Sequence, residues 1–168
     1  YKYWKCLTWL LSGYWSNKII MDTIVVPVAH HNRWNRQVAN IAAELEDVSD
    51  TRALVVYQFT DDLESTIEHL DVDRQAADVD ELAARKSGVA EMVETLDERG
   101  MSCSVRGIET AEEKGEELLN LVKAEDADRI YMYSRKRSPA GKAIFGSGLQ
   151  TVLFNSSVPV VVVPPNIE

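Results

Sequence analysis

Five short runs rich in β-branched residues punctuate the sequence, and four of them are apolar with few breaks: Thr23–Val28 (TIVVPV), Ala53–Phe59 (ALVVYQF), Arg129–Ser134 (RIYMYS) and Val158–Val163 (VPVVVV). A strand with one wet face alternates polar and apolar residues, so runs without that alternation belong to strands covered on both faces. The fifth, MSCSVRGIE, does alternate, with Met101, Cys103 and Val105 on one side and Ser102, Ser104 and Arg106 on the other, as suits an edge strand. Between the runs the spacing changes. Trp34, Val38, Ile41, Ala42 and Leu45 form one helical stripe, and Leu82, Val89, Met92, Val93 and Leu96 form a second that ends at Gly100. Thr110, three residues before Glu113, has the spacing of a capping box opening a third helix with Leu118, Leu119 and Val122 buried. Gly146 to Asn155 forms the fourth helix, and the acidic stretch Asp61 to Asp80 reads as an exposed loop with room for a helical turn.

Strands alternating with helices require right-handed crossovers, and hence an open, parallel α/β sheet with helices on both faces. Such a sheet takes its ligand beyond the carboxyl ends of the strands, where strand order reverses. In this chain those positions are the loops after Val28 and after Ser134.

At 168 residues and 45% apolar content the chain suits one compact domain. Residues 1–20, rich in Trp and Tyr, read as an extension outside a domain of residues 21–168. The expectation is a translated upstream region ahead of Met21, with a surface-packing or membrane-touching arm as the alternative. Its apolar stretch CLTWLL is far shorter than the roughly 20 residues of a membrane span. Cys6 and Cys103 cannot build a disulfide framework, which suits a cytoplasmic setting. The net charge of −9 disfavours nucleic acid and anionic membrane as partners. That charge is uneven: residues 1–128 hold 26 acids and 13 bases, whereas residues 129–167 hold five bases and no acid.

Four of those five bases lie in YSRKRSPAGKAIFGSGLQ (Tyr133 to Gln150), which has the form of a phosphate loop running into a helix. With IVVPV opening the domain and SSVPVVVVP closing it, this segment resembles the universal stress protein family over Met21 to Pro165. The resemblance implies strand order 3-2-1-4-5 and a homodimer through the C-terminal strand. Nucleotide-binding members carry GxxG, nine residues, then Gly-Ser or Gly-Thr, because bare backbone N–H groups and a helix N-terminus together hold phosphate. Here Gly146-Ser147 matches, and the nine residues Arg137 to Phe145 match in length, but Tyr133 and Lys136 replace the two loop glycines. The acidic residue those members place after the first strand is Ala29 here, followed by His30 and His31.

Bulk at Tyr133 and Lys136 disfavours ATP seated in the family manner, whereas Arg135, Lys136, Arg137 and Lys142 can grip a phosphate-bearing ligand by side-chain charge. The competing reading is that these four cations only neutralise an acidic protein. No catalytic residues and no metal site are expected. His30 and His31 lack further ligands, Asp61 and Asp62 suit capping better than ribose binding, and Cys103 suits a small apolar role. The expected function is a non-enzymatic, dimeric stress-response module with a degenerate nucleotide or anion site, the alternative being an ATP- or AMP-dependent switch with slow hydrolysis.

Overall fold

The computed structural model describes residues 21–29, 31–60, 62–70, 78–110, 115–134 and 146–164. The strands are β1 (Asp22–Pro27), β2 (Thr51–Phe59), β3 (Ser102–Glu109), β4 (Arg129–Tyr133) and β5 (Val160–Val163). All pair in parallel, in the order β3-β2-β1-β4-β5. The helices are α1 (Asn32–Leu45), α2 (Asp62–Leu70), α3 (Val79–Ala84), α4 (Ser87–Glu98), α5 (Glu116–Ala124) and α6 (Ser147–Asn155).

The unbroken apolar run of β1 serves two cores. Ile24 and Val26 face a layer built by Val38 and Ala42 of α1 and Met92 and Leu96 of α4. Val25, between them, faces Leu118 and Val122 of α5 and Val152 of α6. All three β1 residues are fully buried, each adding about 1.5–3 kcal/mol of apolar transfer. Edge strand β3 contributes Cys103 and Val105 to the first layer, together with Met101 just before it, as the alternation predicts. Burial, followed by the negative charge of Asp97, pushes the Cys103 thiol upward, away from the reactive thiolate.

The structure differs from the sequence reading in four places. The acidic connection is not simply a loop: α2 buries Leu63 and Ile67, one turn apart, with Phe59 and with Leu82 and Ala83 of α3. Leu82 belongs to this separate short helix, whose start is fixed by Asp78 accepting the N–H groups of Asp80 and Glu81. Thr110 does not cap the third major helix. Its N–H and hydroxyl both donate to the Phe59 carbonyl, and the helix starts at Glu116, after Gly115. Leu45, grouped with the buried stripe of α1, is 64% exposed because it is the last residue of that helix. Gly100, in contrast, is the stop it was expected to be: at φ +80° it lets Gly100 and Met101 donate to Asp97 and Leu96.

At the end of the sheet opposite the carboxyl ends of the strands, Arg129 donates to both carboxylate oxygens of Glu46 and to Asp22, each at 2.7 Å. The Tyr131 hydroxyl donates to Glu46 at 2.6 Å. Burial first, and then the Glu46 hydrogen bond, hold the Tyr131 phenol proton far more tightly than in the unfolded chain. A raised folded value means stability is complete below about pH 10, where unfolded tyrosine ionises, and drains as pH rises further. Urea unfolding at pH 9 and pH 11 should therefore show a smaller alkaline loss for Tyr131→Phe than for the wild type. The difference is at most about 1.4 kcal/mol per pH unit, and equal losses would refute this account.

Candidate ligand-binding site

Strand order reverses between β1 and β4, and a cleft of about 660 Å³ lies at their carboxyl ends. That volume is in the range of small-molecule sites. One wall is the chain leaving β1. Val28 N–H still donates to the Val56 carbonyl, extending the ladder by one rung. Ala29 is then held by both of its backbone groups: its N–H donates to Asn35 Oδ1 at 2.7 Å, and its carbonyl accepts from Asn35 Nδ2 at 3.2 Å. Asn35 is fully buried, so this amide acts as a fixed bracket between α1 and the mouth of the cleft. Gly88 at the start of α4 permits the close fit, since a Cβ there would lie 2.9 Å from both Asn35 Nδ2 and Val28 Cγ1.

The facing wall is the end of β4 and the start of α6. Ser134, buried, donates its N–H to the Val163 carbonyl as the last rung between β4 and β5. Beyond the loop, Gly146 caps α6 in an extended conformation (φ −64°, ψ 156°), and Gly146, Ser147, Gly148 and Leu149 line the cleft. The N-terminus of a nine-residue helix thus opens on the cavity, presenting N–H donors and the positive end of its dipole. A Cβ on Gly146 would meet no described atom within 4 Å. Neither backbone strain nor packing against the described residues requires glycine there.

Aromatic groups line the mouth. Tyr133, the last residue of β4, stacks on Trp34 of α1 with ring centroids 4.5 Å apart and planes 13° apart. His31 meets the same indole edge to face, at 4.3 Å and 87°. The Tyr133 phenol is pushed up by partial burial and pulled down by the nearby Arg33. Towards β2, Lys86 lines the cleft, with its ammonium 5.2 Å from the Tyr57 ring centroid and 5.1 Å from that of Phe59. It also donates to Thr66 Oγ1 at 2.9 Å.

Of the residues singled out from sequence, Ala29, Gly146 and Ser147 line this one cleft. His30, Asp61, Arg135, Lys136, Arg137 and Lys142 lie outside the described residues. Tyr133 also lines the cleft, its ring laid on Trp34. Sequence reasoning missed Asn35, Gly88 and Lys86, and it assigned Trp34 only to the helical core stripe. A buried asparagine within an otherwise apolar helical face was the one local sign available.

Residues 21–164 match the sequence model of the Universal stress protein family. The chain belongs to that family. Among solved structures, a universal stress protein from Archaeoglobus fulgidus is similar at 22% identity and a TM-score of 0.63, over 84% of this chain and 97% of that one. A universal stress protein from the same organism in complex with dAMP matches at 17% identity and 0.60, over 85% and 98%. A universal stress protein in complex with cAMP matches at 16% identity and 0.59, over 88% and 99%. At such identities the likeness establishes the fold. No curated protein matches the chain by sequence. Among the described residues, no helix is long and apolar enough to cross a membrane.

Proposed function

We propose that this universal stress protein domain, residues 21–168, is a non-enzymatic, cytoplasmic, dimeric module that binds a small phosphate-bearing ligand in the cleft at the β1–β4 reversal. The observation that carries the reading is the N-terminus of α6 opening on that cleft through Gly146, a residue with no described neighbour to demand glycine. A phosphate placed there takes backbone N–H donors and the helix dipole. The cations of the adjoining loop, Arg135, Lys136, Arg137 and Lys142, supply side-chain charge. The dAMP- and cAMP-bound relatives support a nucleoside monophosphate as the ligand class. The short strand β5 at the sheet edge is the expected dimer seam.

Titration with AMP, ATP and inorganic phosphate at low and high salt tests the reading. AMP should bind, more weakly as salt rises because side-chain charge supplies part of the grip. Gly146→Val should leave the urea midpoint unchanged, since its φ suits any residue, and should weaken AMP at least about tenfold by blocking phosphate approach. An AMP affinity indifferent to that substitution would place the phosphate elsewhere. Steady ATP turnover would replace the proposal with the hydrolytic switch.

A further inference from the structure

We propose that Trp34 is the residue by which the cleft selects ligands carrying a planar aromatic ring, and that the Tyr133 ring lies in the place such a ring takes. The inference rests on the ligand-binding reading above and names its specificity.

Three observations lead to it. Trp34 sits in the first turn of α1, half-buried, and lines the cleft together with Tyr133. The two rings are stacked at 4.5 Å with 13° between their planes, which is the offset-parallel arrangement a heteroaromatic base adopts on an indole. His31, edge-on to the indole at 87°, supports the Trp34 ring plane. The indole is held edge-on by the N-cap residue of α1, and the phenol, at the end of β4, also packs against the first core layer.

The energetics allow exchange. A tyrosine–tryptophan stack and a base–tryptophan stack are of similar strength, with the base somewhat favoured, so the stack lost by the phenol is offset by the stack the ligand gains. Asn32 and Gln58, which also line the cleft, carry amides of the kind that pair with the polar edge of a base. A bare sugar phosphate has no ring to lay on Trp34. Ring recognition and phosphate capture are therefore separable: the first belongs to Trp34, the second to the α6 N-terminus and the loop cations.

The test compares AMP with ribose 5-phosphate, which shares the phosphate and sugar but lacks the base, by calorimetric titration of the full chain. The wild type should prefer AMP. Trp34→Leu should weaken AMP about tenfold and leave ribose 5-phosphate unchanged, while Trp34→Phe keeps most of the preference. Tyr133→Ala should tighten AMP several-fold with no effect on ribose 5-phosphate. In a full-length variant with Trp4, Trp9 and Trp15 replaced by Phe, Trp34 is the one remaining tryptophan, and AMP should quench its fluorescence where ribose 5-phosphate does not. Equal affinity of the wild type for the two ligands, equal weakening of both by Trp34→Leu and Trp34→Phe, or weaker AMP binding by Tyr133→Ala would each overturn this inference while leaving the binding reading intact. Failure of the wild type to bind either ligand would overturn both.

Discussion

Glu46→Ala should destabilise the protein by about 3 kcal/mol, more than a surface substitution commonly does. The Glu46 side chain is 8% exposed and receives two hydrogen bonds from Arg129 and one from the Tyr131 hydroxyl. Its removal leaves Arg129, whose side chain is 28% exposed, with Asp22 as its remaining ion-pair partner. It also strands the phenol of Tyr131, a residue 1% exposed. The penalty comes from groups left unpaired, not from the intrinsic worth of an ion pair. The double variant Glu46→Leu, Arg129→Met should consequently recover the part of the loss that comes from Arg129, with the Tyr131 hydroxyl still unpaired. Urea midpoints for the single and double variants decide the matter, and a Glu46→Ala protein within 0.5 kcal/mol of wild type, a margin typical of surface changes, would contradict it.

Gly107→Ala should cost about 1–3 kcal/mol, a large effect for one methyl group on an edge strand. A Cβ there would lie 2.3 Å from the Val79 carbonyl oxygen and 2.8 Å from its carbon, both backbone atoms that cannot rotate away. Helix α3 approaches so closely because Gly107 N–H, which faces the open edge of β3, donates to Asp80 Oδ1 at 2.7 Å. Arg106, next along the strand, reaches Asp80 Oδ2 at 3.4 Å. The contact covers an edge donor that would otherwise invite another strand. Pushing α3 outward also loosens Leu82 and Ala83, both buried with Phe59. Thermal and urea unfolding should register the loss, and a Gly107→Ala chain as stable as wild type would mean that α3 does not clasp the edge.

Much of the fold was legible because burial on both faces leaves a mark in adjacent residues. The uninterrupted apolar runs around Val25 and Val55, set against the alternation of MSCSVRGIE, pointed to a covered parallel sheet with a half-buried edge strand. Helix limits were legible where a local rule applies, as at Gly100, and not where a distant partner takes over. Thr110 has the spacing of a cap, but the helix starts after Gly115, and Thr110 instead ties the end of β3 to the Phe59 carbonyl. The turn at residues 85–86 that separates Leu82 from Val89 has no breaker residue, so two helices read as one stripe.

The site divides in the same way. Sequence alone determined the alternating strand–helix order, the end of the sheet at which the candidate cleft opens, and the Gly146-Ser147 entry to a helix N-terminus, because each follows from neighbours along the chain. Tertiary structure alone decided that Asn35 brackets Ala29, that Lys86 reaches the cleft, and that Tyr133 lies on Trp34. Those contacts join separate elements, and their existence depends on which strands lie side by side and how closely helices pack over them. No pattern of spacing within one segment records such distances.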